Sequence, residues 1–272
     1  MSKLLSLDRG NYLGKVVDIC YADGIIAGVT TYPRGALTSQ MHYHDNLHIS
    51  FVLQGGSLEN RIDGKYERLP GNIMFYHAGE AHQNIQKIFP SKNVNLEIED
   101  RLLKKYELTE ELIDNTTTHH PDGKFLMLKI YKELLENDSF SPTSISMLFL
   151  DLISRFEKID YKKKVPSWLN KINELLNDSW DEKLSLIDLA NTAGVNPITI
   201  SKHFHKYFSC TLGEYLRKLK IEKSLSIIPA QEISLTEIAY ICNFSDQSHF
   251  TRTFKQLTGF LPKQYKKLKD NH

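Results

Sequence analysis

Long apolar runs are the first thing this 272-residue chain lacks. No stretch approaches the roughly 18 consecutive apolar residues of a membrane-spanning helix. The opening MSKLLSLDRG holds no apolar segment of signal-peptide length. Cysteine is scarce as well. Cys20, Cys210 and Cys242 stand far apart in no pairing pattern, which argues against a disulfide framework and for reduced thiols in a cytoplasm. Cys242 falls within an apolar helical pattern and reads as core. An excess of one charge is also missing: the formal net charge of +1 argues by itself for no charged partner. What remains is ordinary for a soluble protein, with 41% apolar and 25% charged residues, enough for packed cores in one or two domains.

The distribution of charge says more than its sum. From Val165 on, 14 Lys and Arg stand against 11 Asp and Glu, whereas the first 164 residues hold 20 against 22. A basic C-terminal part on a near-neutral chain is a modest electrostatic footprint for nucleic acid.

Short apolar runs alternate with turn signals at the start of the chain. The runs are Lys15 to Cys20, Ile25 to Thr31, Leu47 to Leu53, Ser57 to Ile62, Asn72 to Tyr76 and Asn93 to Ile98. Asp23-Gly24, Gly55-Gly56, Asp63-Gly64 and Pro70-Gly71 separate them as turn dipeptides, and Asp63-Gly64 is a hairpin signal. Many short strands with regular turns predict a sandwich or jelly roll. From Glu97 the period becomes helical, first through Ile98, Leu102, Leu103 and Tyr106. A second amphipathic helix carries Phe125, Leu128, Tyr131, Leu134 and Leu135. A third opens at Ser141-Pro142, read as N-cap and first turn, and carries Ile145, Leu148, Leu152, Ile153 and Phe156. Asp160 to Pro166, with Lys162, Lys163 and Lys164, reads as an exposed linker. Trp168, Leu169, Ile172 and Leu175 then begin a further helical domain.

That domain contains a repeat. Ser234 to Lys267 reads as helix, tight turn, helix, with Leu235, Ile238, Ala239 and Ile241 on one apolar face. Asn243, a residue that tolerates the left-handed backbone ending a helix, interrupts it, and Ser245-Asp246 can cap the next helix. Phe250 and Phe254 lie on the buried side of that helix. Gln247, Ser248, Thr251, Arg252 and Lys255 lie on the other, with the sizes and donors that read base edges and phosphates. Ser185 to Lys218 repeats the unit: Gly194 matches Asn243, Ile200 matches Phe250, Phe204 matches Phe254 and Tyr215 matches Tyr265. In this first unit Ile198, Ser201 and Lys202 face bases and His205 lies near phosphate. Two such units in one monomer would place two helices in successive major-groove segments of one DNA face, which recur every roughly 34 Å.

Ile238-Ala239, Asn243-Phe244, Asp246, Ser248, Phe250, Arg252, Phe254-Lys255, Gly259, Pro262 and Tyr265-Lys266 resemble the signature of the AraC/XylS transcription regulators. The resemblance covers about the last hundred residues, and it departs at Asn243, where that family usually has Gly. It implies binding to double-stranded promoter DNA, activation more than repression, RNA polymerase as a partner, and a homodimer supported by the central helices.

Gly35, His42-Tyr43-His44, His48, Gly55, then Gly71, Gly79 and His82 resemble the two motifs of the cupin superfamily. Its small β-barrels bind sugars, acids or metal ions. The resemblance carries metal ligands over to His42, His44 and His82, with His48 in place of the family's Glu. Alternation along a strand lets His42 and His44 face one interior, and neutral imidazoles suit zinc, iron, copper or nickel. The same histidines, with Tyr76, equally describe a pocket for a polar small molecule; Tyr76 and Phe51 equally fit a plain core.

The expected fold is α+β: a cupin-like effector-sensing β-barrel over 1–97, a helical dimerisation region over 98–160, a linker over 161–166, and an all-α DNA-binding domain with two helix-turn-helix motifs over 167–272. The expected function is cytoplasmic, sequence-specific transcription regulation in response to a small-molecule effector, with no catalytic residue and no required cofactor. A divalent transition metal in the barrel is the alternative, either as a sensed ion or in a metal-dependent enzyme.

Overall fold

The computed structural model describes residues 4–35, 40–118, 120–156, 166–182, 184–230 and 233–268. Apart from Pro166, the expected linker lies outside the described residues. Eight strands come first: β1 (Leu5–Leu7), β2 (Lys15–Ala22), β3 (Ile25–Tyr32), β4 (His42–His44), β5 (Leu47–Arg61), β6 (Lys65–Arg68), β7 (Ile73–Tyr76) and β8 (His82–Ile98). They form one sheet with the path β1-β4-β8-β3-β2, while β5 pairs with β8 and carries β6 and β7. The path is open among the described residues, so the expected closed barrel is a curled half-barrel.

Two long strands, β5 and β8, hold this sheet together, and both differ from the sequence expectation. Gly55-Gly56 is not a turn. It lies inside β5, where the register against β8 shifts. Gly55 has φ +78°, and a Cβ there would stand 2.5 Å from the Pro90 carbonyl oxygen, so glycine marks a bulge crowded by its neighbour strand. β8 begins at His82, well before the expected Asn93, and ends at Ile98, which therefore does not start a helix. The Asp63-Gly64 hairpin forms as expected: Arg61 N–H donates to the Gly64 carbonyl at 2.8 Å.

Strict alternation makes these strands two-faced. In β8, Val94, Leu96 and Ile98 are fully buried against apolar partners, while Asn93, Asn95 and Glu97 are buried on the opposite face. Their neighbours in β5 keep the same order, with Ile49 beside Leu96 and Ser50 beside Asn95. One face thus joins the core and the other lines a polar interior.

Four helices pack on the apolar face: α1 (Asp100–Lys105), α2 (Glu110–Thr118), α3 (Pro121–Glu136) and α4 (Ser141–Phe156). The sequence pattern did not show α2, whose run of Thr and Asp hides its period. Asp138 Oδ1 binds the amides at the entry of α4, Phe140 N just before it at 2.8 Å and Ser141 N at its first residue at 3.0 Å. Ser141 Oγ turns instead to the Glu133 carbonyl at 3.1 Å, so the cap expected at Ser141 belongs to Asp138.

Seven helices follow: α5 (Ser167–Asp178), α6 (Leu186–Ala193), α7 (Pro197–Phe208), α8 (Leu212–Ala230), α9 (Leu235–Ile241), α10 (Gln247–Thr258) and α11 (Pro262–Lys267). Ser185 with Asp188 and Ser234 with Glu237 form capping boxes at the starts of α6 and α9. Gly194 at φ +69° and Asn243 at φ +53° turn the chain into α7 and α10. Ile200 and Phe250, Phe204 and Phe254, Tyr215 and Tyr265 are buried in matching places. Ile241 is the exception among the apolar positions expected for α9, as Leu135 and Tyr106 are for the central helices, at 50% and 38% exposed. Ile241 is 43% exposed, and Cys242 takes its place in the core. The helical face of α9 thus runs through Leu235, Ile238, Ala239 and Cys242, steps of three and four.

The two helix pairs do not share one core. Leu169, Ile172, Leu189, Ile200, Phe204 and Phe208 form a core of their own around α5–α7. Phe250, Phe254, Phe260 and Tyr265 instead join the core that runs through the sheet, α3 and α4. Lys218 Nζ binds Asp122 at 2.7 Å and Lys124 Nζ binds Glu222 at 2.5 Å, pinning α8 to α3.

Candidate functional site: two exposed helix faces and a buried histidine cluster

On α7 the positions Ile198, Ser201, Lys202 and His205 are all exposed. They fall on one side of the helix at steps of three and four, and Ile198 is 73% exposed although apolar. On α10, Gln247, Ser248 and Arg252 are exposed and Thr251 is half-buried. Gln247 is oriented by Thr236, whose hydroxyl donates to Gln247 Oε1 at 2.6 Å. Asn196 Oδ1 accepts from Ile198 N at 2.8 Å and Asp246 Oδ1 accepts from His249 N at 2.7 Å, so side chains cap both helices. All eight residues nominated from the sequence therefore lie on the outer faces of α7 and α10. Lys255 extends the second face.

The half-barrel interior gathers the histidines. One ring nitrogen from each of His42, His44 and His82 lies within 4.8 Å of the other two. The pairing of His42 with His82 between β4 and β8 brings their rings to 4.3 Å between centroids. His48 stands beside this set, its ring 4.2 Å from that of His44, but outside the three converging nitrogens. Its Nε2 faces Asn95 Oδ1 at 3.3 Å. Tyr76 packs against His82 at 4.2 Å and His48 at 5.3 Å, and it lines the cavity while being 1% exposed. Phe51 is plain core.

Hydrogen bonding fixes the tautomers of two rings. His42 Nδ1 lies 2.9 Å from the Gln40 carbonyl, and His82 Nδ1 lies 3.1 Å from the Glu80 carbonyl. A carbonyl only accepts, so Nδ1 carries the proton and Nε2 keeps its lone pair. This is the arrangement that orients histidines toward a metal. His44 Nδ1 and His48 Nδ1 are buried with no hydrogen-bond partner among the described residues. Burial drives the basicity of all four rings down, to about 3 for His44 and about 2 for His82, and below the ordinary value for His42 and His48. They are neutral imidazoles at physiological pH, the form that ligates borderline transition metals. The three converging nitrogens therefore fit such an ion. The cavity between them is about 20 Å³, the room of about one water.

Other groups of this interior escaped the sequence reading. Arg68, 2% exposed, gives Nη2 to Ser50 Oγ at 2.7 Å and Nη1 to Asn84 Oδ1 at 2.9 Å. Buried Glu59 receives the Tyr76 hydroxyl, Arg61 Nε at 2.5 Å and the Arg68 guanidinium at 3.5 Å. Tyr12 covers the cluster from the N-terminal segment, its ring 5.6 Å from both His44 and His48. The period-two row Asn93, Asn95, Glu97 between Val94, Leu96 and Ile98 was the available signal for a polar interior. Arg68 and Glu59 are brought in only by strand pairing.

Exposed helix faces on capped, turn-linked pairs define a helix-turn-helix DNA-binding protein. Residues 189–268 match a protein family described as "Helix-turn-helix domain". The HTH-type transcriptional activator RhaS of Escherichia coli is 25% identical over 261 residues, covering 90% of this chain and 94% of that protein. Its counterpart in Shigella sonnei is 22% identical over the same length. Among solved structures, ToxT of Vibrio cholerae is 16% identical with a TM-score of 0.39, covering 92% of this chain and all of that one. Residues 189–268 thus form a helix-turn-helix domain of the AraC type, and the chain is similar over most of its length to AraC-type transcription regulators. Among the described residues no helix is long and apolar enough to cross a membrane.

Proposed function

We propose that the protein activates transcription by placing α7 and α10 in successive major grooves of promoter DNA, under control of a signal received in the histidine interior. The matched outer faces of α7 and α10 carry this reading: each presents short polar side chains and a cation, over a buried aromatic ridge. Arg252 and Lys202 occupy corresponding positions; arginine reads guanine in bidentate fashion, and either cation can instead hold phosphate. Activation comes from the likeness to the activators named above, and contact with RNA polymerase from the resemblance to the AraC/XylS signature. Binding of the purified protein to duplexes enriched from a randomised pool tests the reading. A protein that enriches no sequence, or whose affinity ignores salt, does not bind DNA in this way.

We infer further that the N-terminal half-barrel is cupin-like and that its signal is a transition-metal ion held by His42, His44 and His82. The size of the cavity favours the ion over a sugar-sized effector, whose pocket measures about 300 Å³ or more. Three neutral nitrogens leave a position open for a further ligand, and the ion would add a positive charge to that of Arg68 in the same interior. His48 supports the set from outside it. Replacing the usual Glu by His48 removes a negative charge, which disfavours hard cations and favours metals that prefer imidazole. Stripped protein is titrated with Zn²⁺, Co²⁺ and Ni²⁺ by calorimetry, and the Co²⁺ form is read by its visible spectrum. Stoichiometric binding that His42→Ala removes is expected, with a change in DNA affinity on loading. If no ion binds, the cluster is an effector pocket that must open to admit its ligand, and His42→Ala then abolishes the effector response with effector-free DNA affinity unchanged.

A further inference from the structure

We propose that Asn243 is a positioning residue that locks the second helix pair against the first and so sets the separation of the two DNA segments the protein accepts. The inference rests on the reading of both pairs as DNA-binding units. The turns of the two pairs share a backbone but not a role. Gly194 has φ +69°, and a Cβ there would meet nothing within 4 Å. Asn243 has φ +53°, its N–H donates to the Tyr240 carbonyl and that of Phe244 to the Ala239 carbonyl, both at 2.9 Å. Those bonds need only a left-handed residue, and glycine would serve.

The side chain does something else. Asn243 Nδ2 donates to the Asp181 carbonyl at 2.8 Å, in the segment between α5 and α6 of the first pair. The Asn243 carbonyl in turn accepts from Lys220 Nζ at 3.1 Å, on the helix α8 that joins the pairs. Trp180, next to Asp181, packs against both hydrophobic cores. The segment after α5, which shares the first pair's core, the joining helix and the turn that leads to α10 therefore meet at one point. α8 also links the two cores, with Leu219 in the first and Ile221 in the second. Two bodies joined along one helix can rock about it. An attachment off that axis removes the freedom, and Asn243 supplies one directly before α10.

A fixed relation between α7 and α10 has a readable consequence. One inserted base pair moves the second site along the axis by about 3.4 Å and rotates it around the duplex, so a locked protein rejects it. The experiment uses the full chain and a randomised duplex pool. The wild type is expected to enrich sites with two preferred segments at one separation, and a one-base-pair change in that separation weakens it about tenfold or more, as a lost base contact does. Asn243→Gly keeps the left-handed turn and loses the donor. Its affinity for the best site should fall roughly twofold to tenfold, the range of one hydrogen bond, while its penalty for altered separation shrinks. Asn243→Asp, which tolerates the same backbone but cannot donate to a carbonyl, is the second variant and decides if Asn243→Gly has lost its fold by circular dichroism. An unchanged separation penalty in the folded variants overturns the positioning role. A wild type that enriches no two-segment site overturns the two-unit reading itself, and this role with it.

Discussion

His120 sits where the central helices meet the first helix pair, and acid should loosen that contact. The ring is 8% exposed. Its Nδ1 accepts from Asp122 N at 3.2 Å, which leaves Nε2 as the donor to the Phe208 carbonyl, 3.3 Å away at the end of α7. Burial is the main cause that drives its basicity down from 6.5 to about 4, and Lys218 opposes the help that Asp122 gives to protonation. The unfolded chain takes the proton first. Stability from this site is therefore complete above pH 6.5 and is lost as the pH falls toward 4. Between pH 7.5 and 5 the loss is about 2 kcal/mol for this residue alone, a large share of a domain's about 5–15 kcal/mol. Other histidines add to the raw curve, so the informative quantity is the difference from His120→Asn, which keeps a capping side chain and does not titrate. Urea unfolding followed by circular dichroism across this range is expected to show the wild type losing about 2 kcal/mol more than the variant. Equal losses would mean that His120 is solvated or already charged in the folded protein, and the reasoning would fail.

Three further outcomes follow from the same structure. Arg252→Ala should cost about 1–3 kcal/mol of discrimination at one base pair, measured against duplexes changed one position at a time; uniform weakening on every sequence would move Arg252 to the phosphate backbone. Phe254 is fully buried with its ring 5.8 Å from Phe250 and 5.6 Å from Tyr265. Phe254→Ala should cost about 3–5 kcal/mol and weaken DNA binding indirectly, whereas a variant melting like wild type would show the helix register to be wrong. Gly55→Ala sets a Cβ 2.5 Å from the Pro90 carbonyl oxygen at a positive φ, so thermal melting should shift down by several degrees for about 1–3 kcal/mol of strain; an unshifted melt refutes the bulge geometry.

Sequence reasoning reached the C-terminal half more fully than the N-terminal one, for physical reasons. Caps, a left-handed turn and an apolar period are local, so α6, α7, α9 and α10 announce themselves within a few residues each. Even there Ile241 misled, because one residue decides which side of a short helix faces in. In the half-barrel the histidines were legible from strand alternation and a resemblance. Arg68 and Glu59 were not, since β6 and β5 bring them to the cluster through register. Gly55-Gly56 has the composition of a turn and the conformation of a bulge, and only the neighbouring strand distinguishes the two. Asn243 was visible as a substitute for glycine, but its bond to Asp181 spans two helix pairs and leaves no local trace.

The division of the apolar cores also bears on where the chain can be cut. A scissor at the segment before Ser167 cuts away both helix pairs, and it passes through the larger core rather than around it. Phe260 stacks near Tyr131 of α3 at 6.0 Å, and Leu257 lines a cleft with Phe125, Leu126 and Leu152. Released from these partners, the second helix pair would carry a bare apolar flank and a tendency to aggregate. The first pair, with α5 and the start of α8, has an aromatic cluster of its own, and what ties it to α3 is the His120 contact with Phe208 and Tyr215 and the Lys218 pair with Asp122.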